Sequence, residues 1–155
     1  MFVEIIDQLN GVTIDITEKE AEFINRTTRQ KVEAGKNILN GEETLVYCRI
    51  RKLDSDFMRT YRQRKVISAI IEKVKSQNTI TALNLTKHIL PLIRTNISPL
   101  KMTILSFYVP SVINLELSQL RIPADDCYSS EYINGQSVIV PDLELNKNKL
   151  HKNIS

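Results

Sequence analysis

The sequence is short of the residues on which much enzymatic metal and nucleophile chemistry draws. It has two histidines, His88 and His151, far apart in the chain, and two cysteines, Cys48 and Cys127, without metal-ligand spacing. A zinc site or a Ser-His-Asp triad is therefore not expected. Cys48 lies in an apolar, strand-like pattern, where a buried free thiol is the expectation rather than a disulfide to Cys127. No run of about 18 apolar residues occurs, so nothing in the chain is expected to span a membrane, and by itself the chain should be soluble. No basic segment followed by an apolar stretch opens it, so no signal peptide is expected. Internal repeats, low-complexity segments and linkers are missing too, which points to one domain or part of one.

What is present is ordinary in bulk. With 155 residues, 42% hydrophobic and 25% charged, the chain has the size and composition of a globular domain with a real core. The opening MFVEIIDQLNG reads as a helix that stops at Asn10-Gly11, with Phe2, Ile5, Ile6 and Leu9 at helical spacing. A domain rarely begins on the apolar face of a helix, so we expect sequence to be missing upstream. VTIDI, residues 12–16, alternates as a half-buried strand. Residues 18–37 are polar enough for an exposed helical excursion, and Asn40-Gly41 marks a turn. TLVYCRIR, residues 44–51, is β-rich with apolar residues on both faces, which predicts a central strand.

Asp54-Ser55-Asp56 offers N-caps for a helix running to about Ser76. A second helix is predicted over residues 81–93, bending or stopping at Pro91, and a third from Ser98 to Ser106, with Ser98 as cap and Pro99 in the first turn. The loop-rich segment that follows holds a turn at Asn134-Gly135 and a short strand, SVIV. DLELNKNKLHKNI closes the chain as a polar amphipathic helix. The predicted organisation is a single α/β domain over residues 1–155, with a core to about residue 145 and a polar tail.

Charge is where the sequence departs from the ordinary. Between Tyr47 and Val66 lie Arg49, Arg51, Lys52, Arg59, Arg62, Arg64 and Lys65 against Asp54 and Asp56, a net +5 in a chain of net +3. On the predicted strand, Arg49 and Arg51 share a face and sit at its C-terminal end, where α/β architectures bind ligands. On the helix, the stripe of Val66, Ile67, Ile70, Ile71 and Val74 extends back through Gln63 to Arg59, with Arg62 near its edge and Arg64 and Lys65 facing elsewhere. Inward guanidiniums need partners. Two aspartates are too few for four arginines, and the helix N-terminus adds positive potential. An anion between strand end and helix start resolves the surplus, and arginine forks fit phosphate oxygens. Two other readings stand beside this one: a solvated basic helix end with local Arg–Asp pairs, and a nucleic-acid patch. The second is the weaker, because Tyr47, Phe57 and Tyr61 form no stacking row.

The same residues carry a resemblance. Arg49-Ile50-Arg51, followed by Asp56-Phe57-Met58-Arg59-Thr60-Tyr61-Arg62-Gln63, is similar to the R-x-R…D-x-x-R-x-x-R-Q pattern of the LytR-CpsA-Psr (LCP) family of bacterial cell-envelope proteins. FVEIIDQLNGVTIDI and LNGEETLVYCRIR upstream resemble that family, as do TNIS, QLRIPADDCY and YINGQSVIVPDLELN downstream. Asn10, Thr44 and Met58 depart from its usual residues, and none of these is a charged site residue.

The resemblance implies an α/β fold with a central mixed sheet between helices, three αβα layers, incomplete at the N-terminus. It implies an enzyme that moves glycopolymers, such as wall teichoic acid or capsular polysaccharide, from a polyprenyl pyrophosphate carrier to a peptidoglycan acceptor. Arg49, Arg51, Arg59 and Gln63 would contact the pyrophosphate, with Arg62 a weaker candidate. Asp56 and Arg59 would be the catalytic pair, Asp56 orienting the arginines or assisting the reaction. Ile67, Ile70 and Ile71 would be core or lipid-pocket lining. Magnesium is the implied cofactor, with its ligands in a missing N-terminal half that also carries the membrane anchor. Nucleic acid is not an expected partner, a second chain could complete the fold, and the place of action would be the extracytoplasmic face of the membrane. For this chain alone, weak or no transfer is expected, and the remaining options are a non-catalytic binding fragment for lipid phosphate or anionic polymer and a transcriptional regulator.

Overall fold

The computed structural model describes residues 1–77, 81, 89, 95–112 and 118–154, and within 99–112 it leaves the side chains at 106 and 109–112 undescribed. The chain forms two compact units, residues 1–115 and 116–155. The first begins with helix α1 (Phe2–Gln8), which stops where the sequence predicts: Asn10 and Gly11 both take positive φ, 55° and 81°. Strand β1 (Val12–Ile16) follows, with Val12, Ile14 and Ile16 buried and Thr13 and Asp15 exposed, as the alternation requires.

Helix α2 (Glu18–Thr28) opens with a capping box: Glu20 N donates to Thr17 Oγ1 at 3.4 Å and Thr17 N to Glu20 Oε2 at 2.9 Å. The excursion predicted over 18–37 is therefore helical only in its first part. Its end is strand β2 (Gly35–Leu39), which pairs antiparallel with β1, Val12 opposite Leu39 and Ile16 opposite Gly35.

The strand predicted over residues 44–51 is a helix. Helix α3 spans Gly41–Arg49 and opens with a second capping box, between Asn40 and Glu43. Thr44, a strand former by propensity, donates its hydroxyl to Asn40 O at 2.7 Å, and so supports the first turn. The burial of Glu43, Thr44, Tyr47 and Ile50 follows helical spacing. Cap chemistry and packing thus outweigh β-propensity here, and Cys48 lies on a helix rather than a strand. Gly41 allows the close approach of α3 to α1: its N–H donates to Asp7 Oδ1 at 2.8 Å, and an added Cβ would lie 2.7 Å from Val3 Cα.

Helix α4 (Asp56–Lys75) keeps the predicted bounds, from Ser55 as N-cap to Ser76 as C-cap, and packs against β1 and α3. The core of this unit gathers Ile6 and Leu9 of α1, the inward residues of β1, Ile24, Leu39, Tyr47, Ile50, Val66 and Ala69. The helix predicted over 81–93 falls almost wholly outside the described residues, though Thr81 and Ile89 are helical. Helix α5 (Pro99–Val112) starts as predicted, with Lys101 N donating to Ser98 Oγ at 3.4 Å, and runs past the predicted end at Ser106.

The second unit pairs β3 (Tyr128–Ile133) with β4 (Gln136–Pro141) across the Asn134-Gly135 turn, both residues at positive φ as a type I′ turn requires. The predicted strand SVIV is the middle of β4, whereas β3 lies in a segment read from sequence as loop. The closing helix is α6 (Leu143–Ile154). Its buried Asn146 accepts from Ala124 N at 2.8 Å and donates to Cys127 O at 2.8 Å, tying the helix to the preceding loop. Cys48 and Cys127 are free thiols.

Replacing Gly41 with alanine would press a methyl group onto rigid backbone of α1. We predict a loss of about 1–3 kcal/mol in urea unfolding, with α-helical circular dichroism otherwise retained.

Candidate functional site

The basic stretch is built around the connection from α3 to α4. Ile50 is buried beyond the end of α3 and anchors the chain. Residues 51–55 then cross to the start of α4, which presents Asp56 in its first turn. Arg51 and Arg59 converge on that carboxylate. Arg51 Nη2 lies 3.4 Å from Asp56 Oδ1, while Arg59 reaches Oδ1 through Nη1 and Oδ2 through Nη2, both at 3.1 Å. The two guanidiniums share one carboxylate, which leaves positive charge over. Arg59 is the more sheltered, with its side chain 28% exposed, and its Nε is buried without a hydrogen-bond partner among the described residues. A buried donor on a charged group is costly to leave unmade.

Arg49 is exposed at the end of α3 and makes no hydrogen bond or ion pair among the described residues. The side-by-side placement of Arg49 and Arg51 expected on a strand does not occur. Arg49 ends a helix, and Arg51 lies beyond Ile50 in the connection. Gln63 follows Arg59 by one turn of α4 and is exposed. The inward face expected at Gln63 and Arg59 is displaced by one position: the buried residues of α4 are Arg62, Val66 and Ala69. The apolar run VISAII fits either register, and the polar residue that finds partners decides between them. Ile67 is accordingly 53% exposed, while Ile70 and Val74 pack against the core. Lys65, expected to face away, instead donates to the Asp15 carbonyl of β1.

Arg62, the weaker candidate on sequence, is the most buried of the cluster at 1% exposure. Its Nε donates to Glu20 Oε1 at 2.6 Å, its Nη1 to Ile50 O at 3.2 Å and to Asp54 Oδ1 at 3.1 Å, and its Nη2 to Asp54 Oδ2. Every donor nitrogen of the guanidinium is engaged within the protein. Burial opposes its charge, but the hydrogen bonds and charges of Asp54 and Glu20 outweigh that, and its pKa is held above the ordinary arginine value.

The residue that sequence reasoning missed is Glu20. The Thr17-x-x-Glu20 spacing signals a capping box, but the bond to Arg62 joins residues 42 apart. With Glu20 counted, the four arginines face three carboxylates rather than two, so the surplus is smaller than the sequence implies.

Tyr47 packs beside this network. Burial, reinforced by Glu20 and opposed by Arg62, pushes its phenol well above the ordinary range. Burial likewise pushes the Cys48 thiol up to about 11, which disfavours the thiolate a nucleophile would need. Among the described residues no group of three histidine, cysteine or acidic side chains is placed to hold a metal ion. Asp56 and Asp54 are already engaged by arginines, so the described residues do not fit a magnesium site. Among the described residues, no helix is long and apolar enough to cross a membrane.

A family model described as the LytR_cpsA_psr family matches residues 1–153. The chain belongs to that family. The LCP assignment brings close relatives. Over 84 residues the chain is 43% identical to the polyisoprenyl-teichoic acid–peptidoglycan teichoic acid transferase TagT of Bacillus subtilis, a match covering 52% of this chain and 26% of that protein. It superposes on the crystal structure of B. subtilis TagT with a TM-score of 0.69 at 27% identity, covering 97% of this chain and 55% of the other. It also matches the LytR-CPS2A-psr family protein YwtF (TagT) with bound octaprenyl pyrophosphate lipid, with a TM-score of 0.63, 26% identity and coverage of 98% and 55%. The LCP fold, mixed helices with small antiparallel sheets, is thus the fold of this chain. The chain spans about half the length of the solved relatives it matches.

Two predictions follow from the electrostatics of this LCP site. Arg62→Met strands Glu20 in the interior and should cost about 3–5 kcal/mol in denaturant unfolding, whereas Glu20→Leu combined with Arg62→Met should recover part of that loss. Because folding raises the pKa values of Tyr47 and Cys48 above their ordinary 10.0 and 9.0, the folded state holds these protons more tightly. Stability should therefore be full below pH 9 and fall as pH rises through 9–11, with a shallower decline in Tyr47→Phe, as followed by thermal melting across that range.

Proposed function

We propose that this chain contributes the pyrophosphate-holding part of an LCP transferase, one that attaches polyprenyl-pyrophosphate-linked glycopolymer to peptidoglycan. The observation that carries the proposal is the corner at Asp56: two guanidiniums on one carboxylate, with the buried Nε of Arg59 left without an acceptor among the described residues. A pyrophosphate offers that acceptor and neutralises the remaining charge. Family membership supports the same chemistry, since TagT is named as a teichoic acid transferase and a solved relative holds octaprenyl pyrophosphate.

In this proposal Arg49, Arg51, Arg59 and Gln63 contact the pyrophosphate, while Asp56 fixes the forks of Arg51 and Arg59. The acceptor hydroxyl oxygen attacks the phosphorus that carries the glycopolymer. The bond from that phosphorus to the bridging oxygen breaks, polyprenyl phosphate leaves, and the hydroxyl proton passes to water. Arg51 and Arg59 stabilise the charge that develops on the leaving phosphate. We place the ligands of any magnesium outside the described residues, and we assign this chain the holding of the pyrophosphate, with weak or no transfer by itself. The place of action in this reading is the extracytoplasmic face of the membrane.

Calorimetry with a polyprenyl pyrophosphate tests the assignment. Arg59→Ala and Arg49→Ala should each weaken binding by about 10- to 100-fold, the value of one charge-assisted hydrogen bond of about 1.5–3 kcal/mol. Arg64→Ala, on the same helix, should leave it unchanged. Equal binding by all three variants, or displacement of the lipid by duplex DNA in a steeply salt-dependent manner, would remove the proposal.

A further inference from the structure

The closing helix α6 presents a row of side chains that no described residue of its unit covers. Leu143, Lys147, Leu150 and Ile154 follow one another at steps of four, three and four residues and fall within an arc of about 60°. Leu143, Leu150 and Ile154 are 74%, 39% and 72% exposed, and Lys147 among them is exposed too. The helix is tied down on another side. There the buried Asn146 accepts from Ala124 N and donates to Cys127 O, and Lys149 Nζ donates to the Asp125 carbonyl at 2.9 Å. The charge of this end of the chain has one sign: after Glu144 come Lys147, Lys149 and Lys152 and no acidic residue.

Lys147 decides what can cover this row. Its ammonium has no hydrogen bond or ion pair among the described residues. Packed against an apolar protein face, it would be buried without a partner, at high cost. At the boundary of a lipid layer the same side chain lays its stem along the apolar surface and lifts its ammonium to the headgroups. Lys149 and Lys152 lie on other sides of the helix. A helix is only about 10–12 Å across, so a layer touching the row still acts on both, given a Debye length of about 10 Å at 0.1 M salt. Lysines set around exposed leucine and isoleucine are the composition of a helix that lies in an interface. At 12 residues, about 18 Å, α6 can lie on a lipid layer and is too short to cross one. A soluble polyanion is a poorer fit, because it would use the lysines and leave the three apolar side chains in water.

We propose that α6 is a docking helix for a lipid surface rich in anionic phospholipid. Leu143, Leu150 and Ile154 enter the boundary of the acyl chains, and Lys147, Lys149 and Lys152 meet the headgroup phosphates. The docking surface lies wholly within the second unit and uses none of the residues assigned to pyrophosphate. Each lysine near an anionic surface strengthens partitioning about fivefold, so contact is firm on anionic lipid and weak on neutral lipid.

The experiment adds the full chain to vesicles of phosphatidylglycerol and phosphatidylcholine in equal parts, with vesicles of phosphatidylcholine alone as the neutral control. The chain has no tryptophan, so Leu143→Trp supplies a single fluorescent reporter at the start of the row. Its emission should shift to the blue on the anionic vesicles and be quenched by lipids brominated in the acyl chain, and should stay unchanged on the neutral ones. In co-sedimentation, Lys147→Gln should weaken binding about fivefold, and Leu143→Asp with Ile154→Asp on the order of tenfold or more. All three positions are exposed, so circular dichroism and melting temperature should match the unsubstituted chain. Four results would overturn the proposal: no binding to the anionic vesicles, equal binding to the neutral ones, binding that survives Leu143→Asp with Ile154→Asp while the introduced tryptophan stays in water, or a dimer in light scattering that the same double substitution abolishes. The third of these would mark a soluble polyanion as the partner, and the fourth a second copy of the chain. The vesicles contain no polyprenyl pyrophosphate, so failure here and failure of the pyrophosphate assignment are distinguishable.

Discussion

Arg62 sits almost without exposure between Glu20, Asp54 and the carbonyl of Ile50, and these three partners belong to the start of α2, the α3–α4 connection and the end of α3. A single guanidinium therefore fixes where three segments meet. Removing a charge this deep from water is expensive, and the geometry recovers the cost by engaging every nitrogen of the side chain. Glu20 is bound twice over, since its other oxygen closes the capping box of α2. The orientation of α4, and with it the position of Asp56 and Arg59, follows from this junction.

The corner at Asp56 depends on a different balance. Asp56, Arg51 and Arg59 lie near the surface, where ion pairs are worth little on their own, about 0–1 kcal/mol. Their geometry is held by the backbone on either side, the buried Ile50 before the connection and the buried Arg62 after it. A rigid interior charge network thus supports a soft exterior one. The outer residues are loosely paired, while the inner one is fully committed. Arg49, at the end of α3, and Gln63, one turn after Arg59, are both exposed.

Much of the fold was legible because it rests on local rules. The stop of α1 at Asn10-Gly11, the alternation of β1, the full span of α4 and the turn at Asn134-Gly135 each follow from a few neighbouring residues. The misreading of α3 as a strand shows where such rules fail. Val46, Tyr47 and Ile50 favour strands by propensity, but the Asn40–Glu43 box and the close seat of Gly41 against α1 set a helix instead. Strand β2 was hidden because GKNIL carries little β-propensity of its own, and only its partner β1 makes it a strand.

The same division holds at the site. The sequence by itself determined that positive charge gathers between residues 47 and 66, that its motif is LCP-like, and that Asp56 and Arg59 stand one turn apart on a helix, because spacing along a helix is fixed by its geometry. Only the tertiary structure decided which arginine is spent inside. Arg59 and Arg62 differ by three positions on one face, and a continuous apolar run beside them admits either as the inward residue. The choice falls to Arg62 because Glu20, distant in sequence, is already buried at the start of α2 and needs a cation, and no local pattern encodes a meeting between two elements that far apart.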